Sequence, residues 1–276
     1  MEENRLMEDV AKALENVRAQ CPLIHNITNY VTVNDVANIV LAVGASPIMA
    51  DDIAEAGDIA SIAGALVLNI GTLNARTVES MVEAGKRANQ AGVPVVLDPV
   101  GAGASALRNE TTARLIKEVK LTVLRGNLSE ISFIAGEQSN TKGVDAGEAD
   151  ADNDAVAIAK KVAKQLGCVV GITGQVDVVS DGTRVAKIEN GVKLLGKVTG
   201  TGCMTSALVG SYCGANRDAF TATVAGIATM GMAGEISYKA QADRGTGSFQ
   251  IGIIDAVSRM DGETVKAWAK LHEVER

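Results

Sequence analysis

Val198-Thr-Gly-Thr-Gly-Cys-Met204 is followed by an apolar run of helical type, Thr205 to Tyr212. Two glycines let the backbone approach a bound group closely, and the helix they open aims unpaired N–H groups at it. Those donors and the positive end of the helix dipole favour an anion, most often a phosphate. Cys203 sits in the same turn, where it would touch whatever reacts with that anion. A short Gly-x-Gly turn is nevertheless common before helices, and cysteine is equally at home as a small core residue. The remainder of the chain has to decide between these readings.

Working outward, apolar runs alternate with helical periodicity. Helices are expected over Met7–Arg18, Asn34–Val43, Ala54–Ala63, Arg76–Ala91, Glu110–Val119 and Val156–Leu166. Strands are expected at Ala45–Met49, Ala65–Asn69, Val93–Leu97, Leu121–Leu124 and Cys168–Ile172, with a β-hairpin over Gln175–Glu189 around Asp181-Gly182. Pro22 to Asn29 alternates apolar and polar residues before a helix, Gly136 to Asp152 reads as an exposed loop, and the chain from Thr205 on is mostly helical. Alternating strands and helices imply right-handed βαβ units on a mainly parallel sheet. With no linker or break in composition, the expectation is a single α/β domain over residues 1–276.

In such sheets ligands bind outside the carboxyl ends of the strands. The expected strands stop at Asn69-Ile-Gly71, Asp98-Pro99, Arg125-Gly-Asn127 and Thr173-Gly174, so polar residues and glycines collect along one sheet edge. Corner-turning alone would also place Gly and Asp there. Their coincidence at four strand ends with the late glycine turn favours a pocket. There is no Gly-x-x-x-x-Gly-Lys-Ser/Thr segment, and no Gly-x-Gly-x-x-Gly in the first βα turn, which disfavours Walker-type and dinucleotide sites.

Composition narrows the partners. A net charge of −7 with scattered basic residues argues against nucleic acid. Four cysteines without CxxC spacing, and histidines only at positions 25 and 272, argue against structural zinc and disulfides. The first residues do not resemble a signal peptide, and Gly, Asn, Ser and Asp interrupt the longest apolar segments within the roughly 20 residues of a membrane span. The expectation is a cytoplasmic protein with no membrane partner.

Six segments together carry a specific resemblance. Pro22-Leu-Ile-His-Asn-Ile-Thr-Asn-Tyr-Val31, Gly44-Ala-Ser-Pro-Ile-Met-Ala50, Leu97-Asp-Pro-Val-Gly-Ala102, Arg125-Gly-Asn-Leu-Ser-Glu130, Ile172-Thr-Gly174 and Val198-Thr-Gly-Thr-Gly-Cys203 occur in this order across nearly all of the chain. The set resembles the hydroxyethylthiazole kinases. That resemblance implies a ribokinase-like fold and ATP-dependent phosphorylation of 4-methyl-5-(2-hydroxyethyl)thiazole, the salvage route to the thiazole half of thiamine. It also implies Mg2+ and a homotrimer with active sites at subunit interfaces. Within the same fold the alternatives are a dehydratase of damaged nicotinamide cofactors or a non-catalytic thiazole or thiamine sensor.

The resemblance assigns roles residue by residue. Cys203 stands where ribokinase-like relatives usually carry a catalytic aspartate, and a thiol takes the alcohol proton only as thiolate. Arg125, Thr173, Asn127 and Gly202 fall on ATP-binding positions, and Met49 and Gly200 on thiazole-binding ones. Asn127 and Glu130 form an Asn-x-x-Glu element that orients magnesium, with Asp98 near the metal. Each also has a plain structural reading: Asn127 and Glu130 as a helix cap, Asp98 as a turn residue, Met49 as core. Asn26 either binds substrate or holds the adjacent turn. His25 is read as satisfying a local hydrogen bond and His272 as solvated in a charged tail; neither enters the mechanism.

Overall fold

In β3 (Ala65–Asn69) every residue is buried, and the side chains divide by the two-residue period of a strand. Ala65 and Val67 join one apolar cluster, while Leu66 and Leu68 join a second on the opposite face. A strand covered on both sides reads as a continuous apolar run, and this is why β3 is legible as such. Burial of a side chain such as Leu68 contributes about 2 kcal/mol relative to exposure.

The computed structural model describes residues 2–137 and 148–275. β3 lies within a nine-stranded sheet of order β2-β1-β3-β4-β5-β6-β7-β8-β9. Strands β1 (Leu23–Ile27), β2 (Ser46–Ile48), β3, β4 (Val95–Asp98), β5 (Val123–Asn127) and β6 (Val169–Thr173) run parallel. β7 (Asp177–Ser180), β8 (Val185–Ile188) and β9 (Leu271–Glu275) extend the sheet antiparallel. One face carries α3 (Ile53–Ile62), α4 (Ala75–Ala91), α5 (Ala106–Glu118), α6 (Leu128–Ile134) and α7 (Glu148–Leu166). The other carries α1 (Glu2–Gln20), α2 (Val33–Val43), α8 (Thr201–Ala215), α9 (Ala219–Gln241), α10 (Thr246–Arg259) and α11 (Gly262–Trp268).

Several sequence expectations need correction. Pro22–Asn29 contains β1, a full strand between β2 and β3, whose buried His25 and Asn26 hide it from a search for apolar runs. Within the mostly helical tail one strand is unexpected, β9, which pairs with β8 and sets the partly exposed His272 with Nε2 3.2 Å from Glu189 Oε1 at the surface. The helix expected from Thr205 begins at Thr201, and the one expected from Glu110 begins at Ala106, where Ser105 caps it by accepting from the Arg108 amide. Most of the loop expected from Gly136 to Asp152 lies outside the described residues, but from Glu148 the chain is already α7. The basic residues are not uniformly scattered, since Lys160, Lys161, Lys164 and Lys187 line one groove. Finally, α9 is long and apolar enough to cross a membrane, yet it is mostly buried among α1, α8 and α10.

Candidate active site

The same two-residue period places the site. Counting from the core residues Val67, Val96, Val123 and Val169, the positions two or four further on are Asn69, Asp98, Arg125 and Thr173. All four therefore face α8 at the carboxyl ends of adjacent parallel strands. They are joined. Asn69 Nδ2 donates to Asp98 Oδ2 at 2.8 Å, as does Ser206 Oγ from α8 at 2.8 Å. Arg125 Nη1 lies 3.7 Å from the same oxygen, and Nη2 donates to Thr173 Oγ1 at 2.6 Å.

Burial dominates the electrostatics. Desolvation pushes the Asp98 carboxyl up to about 6, against the opposing pull of Arg125 and of the Ser206 and Asn69 hydrogen bonds. Asp177, which accepts from the Gly174 amide at 2.9 Å, is pushed further, to about 7, also by desolvation. Arg125 is buried, and its Nε has no hydrogen-bond partner among the described residues. A buried guanidinium with an unused donor, beside an under-compensated carboxylate, is suited to an anionic ligand that brings its own cation.

The glycine turn opens α8 as expected, but its glycines serve the protein first. Gly200 caps the helix with φ +86°, and a Cβ there would lie 2.9 Å from Thr32 Cγ2. Gly202 lies inside the first turn, where a Cβ would come 3.1 Å from Arg125 Nη1. The glycines thus admit Thr32 and Arg125 against the turn. Helix geometry leaves the Thr201, Gly202 and Cys203 amides without intrahelical acceptors, and the first helical bond runs from Met204 N–H to Gly200 O at 2.8 Å.

Cys203 is half-buried, and its sulfur accepts from Asn29 Nδ2 at 3.2 Å. Asn29 Nδ2 also donates to Asn69 Oδ1 at 3.0 Å, so the thiol is linked through two amides to Asp98. Asn69 is expected at this edge as a strand end, whereas nothing in the sequence singles out the side chains of Asn29 and Ser206. Their partners lie 29 to 174 positions away, and only the shared strand edge brings them together.

Asn127 and Glu130 satisfy their structural reading in full. Asn127 Oδ1 accepts from the Glu130 amide at 2.9 Å, Glu130 Oε2 accepts from the Asn127 amide at 2.8 Å, and Glu130 Oε1 accepts from Gly101 at 2.8 Å. This capping box opens α6 beneath a cavity of about 630 Å3 lined by Gly101–Ala104, Asn127, Ser129, Glu130 and Phe133. Among the described residues no three His, Cys, Asp or Glu side chains form a metal cage. Magnesium needs no such cage, since one or two carboxylates, water and substrate phosphates suffice to hold it.

Known proteins decide the family. The sequence model described as "HK: Hydroxyethylthiazole kinase family" matches residues 14–263. A hydroxyethylthiazole kinase of Ruminiclostridium cellulolyticum is 61% identical over 97% of this chain and 98% of its own length. The chain belongs to the hydroxyethylthiazole kinase family. The Clostridium beijerinckii hydroxyethylthiazole kinase is 56% identical over 98% of this chain and 99% of its own. The solved hydroxyethylthiazole kinase of Pyrococcus horikoshii superposes with TM-score 0.88 at 39% identity, covering 96% and 99% of the two chains. An ADP complex of Bacillus subtilis pyridoxal kinase, 20% identical with TM-score 0.57 over 74% and 88%, shares the ribokinase-like fold.

Against this hydroxyethylthiazole kinase framework the remaining expected residues divide. Met49 follows β2 at the same sheet edge and packs, half-buried, against the cluster that Cys203 also borders. Asn26 is turned back into β1, where Nδ2 donates to Ile24 O at 3.0 Å, and no described hydrogen bond ties it to the network. Its Oδ1 is buried without a partner among the described residues; Asn29, three residues on, donates to the thiol sulfur. His25 is buried with Nε2 2.7 Å from Ala50 O, the local hydrogen bond expected of it, and desolvation lowers its pKa.

Proposed function

We propose that this chain transfers the γ-phosphoryl group of ATP to the hydroxyl of 4-methyl-5-(2-hydroxyethyl)thiazole, giving the thiazole phosphate used for thiamine phosphate synthesis. Family membership supports the reaction class, and one observation carries the site: Arg125 bridges Thr173, Gly202 and the Asp98 carboxylate at the mouth of α8. Phosphoryl transfer asks chiefly for positioning and for neutralisation of charge on the moving group.

The alcohol oxygen attacks the γ-phosphorus as the bond to the β-phosphate oxygen breaks, and ADP leaves. The amides of Thr201, Gly202 and Cys203 face the charge that develops on the transferring group, with the guanidinium of Arg125 beside them. Thr173 fixes Arg125 Nη2, and Asn127 borders the nucleotide. Met49 and Gly200 form the thiazole side, where a thioether packs against a flat heteroaromatic ring. Cys203 takes the hydroxyl proton as the new bond forms. Asp98 and Glu130 would hold Mg2+, which supplies positive charge to the ATP phosphates.

Exposed Tyr30, Val31 and Ile53, beside the carboxyl ends of β1 and β2, support a homotrimer that completes the site from a second copy. The negative net charge and the burial of α9 support a cytoplasmic protein with small-molecule partners and neither nucleic acid nor membrane. The test is incubation with ATP, magnesium and a panel of thiazole, pyrimidine and pyridoxal-type alcohols, read by mass spectrometry. One phosphoryl group added to the thiazole alcohol is expected. A folded protein that leaves it unmodified, or that instead consumes a hydrated nicotinamide cofactor, overturns the reading.

A further inference from the structure

Asn29 has every hydrogen-bonding direction assigned by its neighbours. Its Oδ1 accepts from the Thr32 amide at 3.2 Å and from Thr32 Oγ1 at 3.1 Å. Its Nδ2 donates to Asn69 Oδ1 at 3.0 Å and to Cys203 Sγ at 3.2 Å. The orientation of Asn69 is set in turn. Its Oδ1 accepts from the Gly71 amide at 2.9 Å, so its Nδ2 has to face Asp98 Oδ2, where it donates at 2.8 Å. A flip of either amide would set donor against donor or acceptor against acceptor along the chain. The Asp98 carboxylate therefore dictates, through Asn69 and Asn29, that an N–H is aimed at the sulfur.

We propose that Asn29 is a positioning residue for the transfer step: its Nδ2 holds the Cys203 side chain in the rotamer that faces the acceptor hydroxyl, and Asn69 fixes Asn29 in that duty. This rests on the reading of the site as a thiazole-alcohol kinase with Cys203 beside the reacting hydroxyl. Nothing in it requires Asn29 to touch substrate. A hydrogen bond to a thiol is weak in isolation, but a side chain with free rotation about χ1 spends much of its time away from the reacting atoms, and misplacement is costly in rate. Stronger acceptors at position 203 should depend on Asn29 more, and a side chain without an acceptor should not depend on it at all.

That ordering is the test. N29D keeps the size and the two acceptances from Thr32 but removes the donors. In the full-length protein it is expected to lower kcat about tenfold, with the KM for ATP changed by less than about threefold. In a C203A background the same change should alter kcat by less than about twofold, and in C203D, where two carboxylates would then face each other, by more than in the parent. Equal effects in all three backgrounds would make Asn29 merely structural and overturn the inference. If N29D does not fold, N29S, too short to reach the sulfur, replaces it in the cycle. A second readout is independent of turnover: in protein labelled with 15N-asparagine, the Asn29 side-chain amide signal, identified by its loss in the variant, should shift in C203A. An unmoved signal refutes the contact. An inactive parent protein would instead count against the proposed reaction, leaving the amide signal to judge Asn29.

Discussion

Arg125 Nη1 donates to the Gly202 carbonyl at 3.1 Å, the same distance at which a Cβ on residue 202 would meet that nitrogen. The guanidinium and the first turn of α8 are thus fitted to each other. G202A is expected to push Arg125 off Thr173 and Asp98 and to reduce kcat/KM for ATP about tenfold to a hundredfold. Steady-state kinetics at varied ATP measures this, and an unchanged kcat/KM would show that the approach is not functional.

R125K retains charge but has no planar fork to serve Thr173 and the Gly202 carbonyl together. We expect kcat/KM to fall by about a hundredfold, a larger loss than in G202A. Thermal unfolding should show little change if the loss lies in the site.

E130Q tests a side chain with two employments. Glutamine retains one oxygen for the Gly101 or the Asn127 amide and does not serve both as the carboxylate does, so either the Gly101 contact or the capping box is lost. A stability loss of about 1 kcal/mol is expected. Beyond that, turnover should demand more magnesium than in the parent. An unchanged magnesium dependence with the stability loss intact would leave Glu130 a cap only.

C203D places the carboxylate of ribokinase-like relatives at the head of α8, where the helix dipole favours it. Turnover is expected to be retained or raised. Complete loss in a folded variant would count against proton acceptance at this position.

Asp177 predicts a pH dependence of stability. Its folded pKa, about 7, lies above the ordinary value of 3.8, so between these the folded chain holds a proton that the unfolded chain releases. Stability from this group therefore falls as pH rises from about 4 to about 7 and levels above. D177N keeps an oxygen for the Gly174 amide and should flatten that portion of the profile in urea titrations at a series of pH values. A D177N profile parallel to the parent would refute it.

Where a side chain's position follows from strand period and chain order, the sequence alone was sufficient. Asn69, Asp98, Arg125 and Thr173 end apolar runs, and the alternation that buries Val67, Val96, Val123 and Val169 places all four on one face. The glycine turn ahead of α8 and the β7–β8 hairpin were legible for the same local reasons, since Asp181 and Gly182 carry the hairpin turn. β1 was not, because two of its five residues are polar: His25 and Asn26 are buried at 0% and 1% exposure by contacts no local pattern announces. Asn29 and Ser206 are ordinary residues whose meaning comes from partners far along the chain. The glycines of the turn were recognised as necessary, but their steric partners, Thr32 and Arg125, are visible only in three dimensions.

β9 closes the outer margin of the sheet with residues from the far end of the chain, Leu271 against Ile188 and Glu273 against Ala186. Trimming residues 271–276 would strip β8 of that cover and leave its amides and carbonyls, with Val185, Ala186 and Ile188 behind them, as an open template for another molecule's strand. Because β9 is itself the last strand of the sheet, trimming moves the open edge inward to β8, and a shortened chain is expected to self-associate more readily than the parent in light scattering.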